Sequence, residues 1–505
     1  MRPLTMSLFA LAISISACKK NTLPEKVTQY DTAPHEKSST LSIANKISYH
    51  DVTVSGTPYT IFGVSVASPE SSAYTSGGKP SEITAIPLGN SEIAVAWQDQ
   101  TGVSDARDIH ITTINTTSHA VVNDIRHRIP YDPTYPSKRE NKILGFTSIT
   151  DGSNDFAIAY ADYSIRKDAN KDGGEFVVVR LHGDGSTVWT QRNVLGTLPI
   201  DPIVVGSKLR PGYGAQGGSR ILYADGVIAT FFSHREQTAG AQHQAGLFSV
   251  IDAATGILYK TEKMYDKSAA GRIDLPYMPN PTDAAGNIVP VPDVAPASPY
   301  PTDQFLISHN FDERMLYDQT TSSFVTMSLG DAYPRAIPVF VHAKGATGIN
   351  KKVRLINIKS GSGNETFTQL GGLVQTREGL AGSFTTRSER SGGMDVAVGY
   401  VIGGALRNIS WLTAFTTEQA IHPKLAVLGQ HLLVAWKLYN TDMTTSTFTA
   451  IVDSAGTILH GPERLDSSAI SFNHTDDFFT YPNGDAGWVA GKGNGVLRVY
   501  KVKKD

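Results

Sequence analysis

The chain has 505 residues, more than one ordinary domain of about 100–200 residues holds, so it is either several domains or one large closed repeat. Its 45 Lys plus Arg against 47 Asp plus Glu give a net charge of -2, which lacks the cationic footprint of a general nucleic-acid binder. At 40% hydrophobic and 18% charged residues, with 46 Gly and 26 Pro, it reads as folded and turn-rich rather than disordered.

The first predicted element is a leader. Met1-Arg2 is followed by the apolar stretch Leu8 to Ile13 and by the small residues Ser14-Ile15-Ser16-Ala17. That apolar run is too short to cross a bilayer, so residues 1–17 are read as a removable signal peptide. Ile15-Ser16-Ala17-Cys18 resembles the lipobox of bacterial lipoproteins, which implies that Cys18, the only cysteine, is acylated and becomes the new N-terminus. Several acyl chains give stable anchoring, so a membrane is one expected partner. Lys19 and Lys20 stand where an inner-membrane retention signal would more often place Asp; by that sorting rule the outer membrane is the expected address. A chain whose sole Cys carries lipid has no disulfides and depends on packing. Residues 18–45, polar and poor in large apolar groups, are expected to be a flexible tether, with the folded domain spanning 46–505.

Beyond the tether one unit recurs: Glu92–Trp97, Asp155–Tyr160, Gly226–Phe231, Ser323–Ser328, Asp395–Tyr400, Leu432–Trp436 and Gly487–Gly491. Each is a short β-rich apolar run containing small residues, which suits a strand buried on both faces. A strand precedes each copy, as in Ile83–Gly89 and Lys424–Gly429; a third follows after a polar loop, as in Asp108–Ile114, Glu175–Arg180, Gly246–Ile251 and Thr447–Val452. Asp252-Ala-Ala-Thr-Gly256, Asp453-Ser-Ala-Gly456 and His182-Gly-Asp-Gly185 then supply hairpin reversals into a fourth strand. Repeated four-stranded meanders without long amphipathic helices describe an all-β chain, a β-propeller counted at seven blades, with six or eight as the alternatives. A string of separate β-sandwiches is the rival, because the period is irregular. The last unit lacks a fourth strand after Val496–Val502, and Tyr59–Val66 is expected to supply it from the N-terminal side, closing the ring.

In a propeller the loops entering each blade and those joining its second and third strands share one face. Here they are the long polar ones, from Gln98 to Arg107, Ser164 to Gly174, His234 to His243, Gly330 to Arg335 and Lys437 to Thr447. One of them, Asp168-Ala-Asn170-Lys-Asp172-Gly173-Gly-Glu175, alternates oxygen ligands before Gly and resembles the calcium loops of some propellers, which would make Ca²⁺ a cofactor held by Asp168, Asn170, Asp172 and Glu175. Phe176 stands where a further acidic ligand is usual, and a plain polar hairpin loop is the alternative. Gly212-Tyr-Gly214-Ala-Gln-Gly217 matches a dinucleotide fingerprint in letters only, because a strand and not a helix follows it, so no nucleotide cofactor is expected. Asp184–Trp189 resembles the Asp-box turn of sialidases, with Ser186 in its Gly position.

The densest polar set belongs to the fourth unit, where His309 and Arg314 lead into the blade and Asp331, Tyr333 and Arg335 follow its second strand; His234, Arg235 and His243 of the third unit should lie alongside. Residues 300–340 resemble stretches of uncharacterised secreted bacterial propeller proteins, a likeness that implies no activity. Asp–Arg pairs also fasten loops, so this set is either a ligand site or a clasp. No Gly-x-Ser-x-Gly elbow, His-Glu-x-x-His motif or Walker loop is present. The expected function is therefore a binding or scaffolding module for a protein or glycan of the envelope. The alternative is a uronate lyase, in which Arg314 or Arg335 offsets a carboxylate while His309 or Tyr333 moves the α-proton.

Overall fold

The structure, a computed structural model, describes residues 42–58, 83–99, 108–129, 143–162, 175–192, 210–211, 220–238, 241–263, 267–268, 271–272, 313–328, 335–343, 349–358, 368–387, 392–439, 445–465, 469–472 and 477–505. Among them are seven antiparallel four-stranded meanders, each a blade of a seven-bladed β-propeller. Blade 1 begins with Thr84–Pro87, blade 2 with Ile143–Ile149, blade 3 with Arg220–Ala224, blade 4 with Glu313–Asp318, blade 5 with Gln369–Gln375, blade 6 with Gln419–Leu428 and blade 7 with Phe479–Thr480. In blade 3 the short strand Arg210–Pro211 also pairs with the second strand.

The second strands show why small residues recur. In blade 1, Val95 and Trp97 pack towards blade 7 while Ala94 and Ala96 pack towards blade 2. Blade 2 repeats the division, with Phe156, Ile158 and Tyr160 facing blade 1 and Ala157 and Ala159 facing blade 3. Because side chains of a strand alternate between its two faces, each central strand serves two interfaces. A bulky side chain on one side and a methyl on the other lets radial sheets approach closely. Among the described residues there are seven such hydrophobic clusters, one for each neighbouring pair of blades and including the pair formed by blades 7 and 1, so the ring is closed.

Two expectations are corrected. The strand that completes blade 7 is Ile47–Thr53, paired antiparallel with Val496–Val502 from Ile47 opposite Val502 to Thr53 opposite Val496; Tyr59–Val66 lies outside the described residues. Asp395–Tyr400 belongs to the third strand of blade 5, whose second strand is Leu380–Thr386, buried at every position. Both central strands of a blade are enclosed on two faces, and here the third is the more apolar.

The hairpin reversals fall where expected, between third and fourth strands. Asp252 accepts a hydrogen bond from the Thr255 amide at 2.7 Å, and Asp453 accepts one from the Thr457 amide at 2.7 Å. Gly256 and Gly456 take φ of 76° and 95°, which a side chain would resist. On this short-turn face Arg180 fastens two blades. Its guanidinium donates to Asp155 at 2.8 Å and Asp151 at 2.9 Å within blade 2, and to the Ala253 carbonyl of blade 3 at 2.8 Å.

Candidate functional site

The first strands touch one another in order round the whole ring, so they form the inner wall. Arg220, Arg314 and Lys424 each stand four residues before the last residue of their first strand, which ends at Ala224, Asp318 and Leu428 respectively. Equivalent positions in a propeller lie at one level, so blades 3, 4 and 6 set three cations on one rung near the end where the long connections enter. Blade 5 has Gly371 on the same rung.

Asp477, two residues ahead of the first strand of blade 7, meets this rung. Its Oδ1 accepts a hydrogen bond from Arg220 Nη2 at 3.0 Å. Blades 3 and 7 are not neighbours in the ring, so the ion pair spans the mouth of the channel. The side chain of Asp477 is 28% exposed and that of Arg220 11%, while Arg314 and Lys424 are buried. Burial opposes ionisation of Asp477, but the charges of Arg220, Arg314 and Lys424, with the Arg220 hydrogen bond, outweigh it and hold the carboxyl below the usual range. The described charges that act on Asp477 are thus three cations, from blades 3, 4 and 6.

Arg314 is the one residue of the expected fourth-unit set whose side chain is described. Its Nη1 donates to the Glu313 carbonyl at 2.7 Å, its Nη2 to the Leu370 carbonyl at 2.8 Å and its Nε to the Gly371 carbonyl. The guanidinium therefore joins the inner strands of blades 4 and 5 and adds its charge to the rung. Gly371 and Gly372 let the inner strand of blade 5 lie close against that of blade 6. A Cβ on Gly372 would stand 2.5 Å from the Leu425 carbonyl oxygen of blade 6.

His309, Asp331 and Tyr333 lie outside the described residues. Arg335 opens the third strand of blade 4, opposite Ile358. His234 and Arg235 lie opposite Ala245 and Gln244, and His243 opposite Glu236, in a hairpin of two 12-residue strands in blade 3. That stretch was expected as a loop; it is instead a continuation of the second and third strands beyond the rest of the blade. The backbone thus brings these positions to the same end of two adjacent blades. Of the expected calcium loop, Asp168, Asn170 and Asp172 lie outside the described residues, and Glu175 opens the third strand of blade 2 opposite Asp162.

A second polar cluster, which sequence reasoning missed, lies in blade 1. His110 stacks on Trp97 with ring centroids 4.2 Å apart, and its Nδ1 is 2.9 Å from Asp124 Oδ2. Thr112 links them, accepting from the Trp97 indole at 2.8 Å and donating to Asp124 at 2.7 Å. Asp99 accepts the Thr57 amide at 2.9 Å and so ties the segment after the N-terminal strand to this blade. Apart from His110 Nε2, which stands 3.8 Å from Asp99 Oδ2, the cluster pairs these polar atoms with one another and acts as a fastener.

No family model matches the chain, and no curated protein matches it. Among solved structures it is similar to polysaccharide lyase Uly1, at 10% identity over 91% of this chain and 100% of that chain, with a TM-score of 0.49. A PL25 ulvan lyase bound to -[GlcA(1-4)Rha3S]- is 11% identical over 90% of this chain and 96% of that chain, at 0.44. The NanB sialidase from Streptococcus pneumoniae is 10% identical over 88% of this chain and 70% of that chain, at 0.37.

Proposed function

We propose that the chain is a lipid-anchored propeller of the bacterial outer membrane that binds an acidic glycan at the mouth of its central channel. The observation that supports this most is the rung of Arg220, Arg314 and Lys424, contributed by three blades and drawn round one carboxylate in a chain whose net charge is only -2. A low-dielectric wall focuses such charge and raises the local concentration of anions. The loop-face positions of Arg335, Arg235 and His243 on blades 3 and 4 extend the same end with further basic residue types.

Titrating the full-length protein against polygalacturonate, alginate and neutral dextran tests the reading. Polygalacturonate or alginate should bind, dextran should not, and added salt should weaken the interaction as it screens the charges. Lys424→Met should weaken acidic-glycan binding about tenfold while the melting temperature remains high enough to show a folded ring. Equal affinity for dextran, or unchanged affinity in Lys424→Met, would overturn the proposal. An unsaturated-uronate absorbance growing during the titration would assign lyase activity instead of simple binding.

A further inference from the structure

Of the four charged groups that meet at the mouth, the most exposed is the carboxylate. Arg314 is buried and turned to backbone carbonyls, Lys424 is buried, and Arg220 presents its guanidinium to Asp477 at 3.0 Å. An acid group arriving from solvent would therefore meet Asp477 first, and would reach the cations only by taking its place. We infer that the Asp477 carboxylate is a built-in competitor, occupying on Arg220 the place of the acid group that an external ligand brings, within the field of Arg314 and Lys424. The inference rests on the anionic-ligand reading above.

Three features carry it. Asp477 comes from blade 7, across the ring from Arg220, so the pair is not the ordinary clasp between neighbouring blades that Arg180 makes on the other face. Its Oδ1 takes one bond from Arg220 Nη2, at 3.0 Å, and an external oxyanion could accept the same bond. Removing the Asp477 charge leaves Arg220, Arg314 and Lys424 without the carboxylate on which their charges act. A ligand must repay the separation of Asp477 from these cations, and the apparent affinity of the unmodified protein is lowered by that amount.

The experiment compares the full-length protein with Asp477→Asn and, as an uncharged variant of different shape, Asp477→Ser. The first probe is inorganic sulfate at matched ionic strength, read as the shift in melting temperature; the second is polygalacturonate, read as Kd. In at least one folded variant, sulfate should raise the melting temperature more steeply than in the unmodified protein, and polygalacturonate should bind about tenfold more tightly. Combining Asp477→Asn with Lys424→Met should abolish the gain. If both variants respond to sulfate no more than the unmodified protein, the competitor role is overturned, whatever the glycan result. If sulfate stabilises the variants but no acidic glycan binds any form, the competitor role stands and the glycan reading falls. If Lys424→Met weakens polygalacturonate binding while neither Asp477 variant improves it, the glycan reading stands without an internal competitor.

Discussion

Arg314 illustrates how one side chain can belong to a charged site and still be spent on structure. It bridges the backbones of two blades through carbonyls that are buried with it. Arg314→Met would keep the stem's packing and strand three acceptors, at about 1 kcal/mol each, so a loss of about 3 kcal/mol in unfolding free energy is expected from chemical denaturation. A variant as stable as the unmodified protein would show that water takes over those carbonyls. The sequence made Arg314 visible because it stands in a dense polar stretch beside His309, Asp331, Tyr333 and Arg335. Arg220 and Lys424 passed unnoticed inside runs that read simply as strands, Ser219–Tyr223 and Lys424–Gly429. A signal for them existed: aligning the units on the last residues of their first strands puts Arg220, Arg314 and Lys424 in one column. Asp477 has no such signal, because its role depends on meeting a strand of a distant blade.

At the scale of elements, apolar content misled in one instructive way. The closing strand reads Ile47-Ser-Tyr-His-Asp-Val-Thr53, and only Val52 is buried in it. An outermost strand packs on one face and leaves the other to solvent, so it needs few apolar residues; Tyr59–Val66 looked the better strand because it carries more. What holds Ile47–Thr53 is its ladder and the Asp51 carboxylate, which accepts from Arg498 Nε at 2.6 Å and Nη2 at 2.7 Å. The adjacent His50 faces His119 of blade 1, with ring centroids 3.6 Å apart. Burial, and then the His119 charge, push His50 down to about 4 against a small opposing pull from Asp51. A folded-state value below the unfolded one favours the neutral ring in the fold. Its stabilisation is present above about pH 6.5 and is lost as the pH falls from there towards 4. Because His50 is only half-buried, the pH-dependent part is about 1 kcal/mol after solvent screening. His50→Gln should therefore flatten the decline in stability across that window, measured against the unmodified protein. An identical pH profile would show that the two rings separate freely in solution.

For the whole molecule, the fold was legible because it repeats. Six of the seven runs singled out in the sequence are second strands, and the seventh is the neighbouring central strand of its blade. A closed ring with one hydrophobic cluster in every gap draws its stability from the blades and the closing strand. Among the described residues, the contacts nearest the N-terminus are those of Ser42 and Ile43: the Ile43 amide donates to Glu463 at 2.8 Å and its side chain is buried between blades 6 and 7. The proposed lipid at Cys18 lies 24 residues before Ser42 in the sequence. Anchoring and folding should then be separable. Cys18→Ser is expected to abolish incorporation of labelled palmitate and release the protein from the membrane fraction, while the melting temperature and acidic-glycan affinity stay those of the unmodified protein. Retained label in Cys18→Ser would overturn the anchor, and a lowered melting temperature would show that the ring depends on the segment ahead of Ser42.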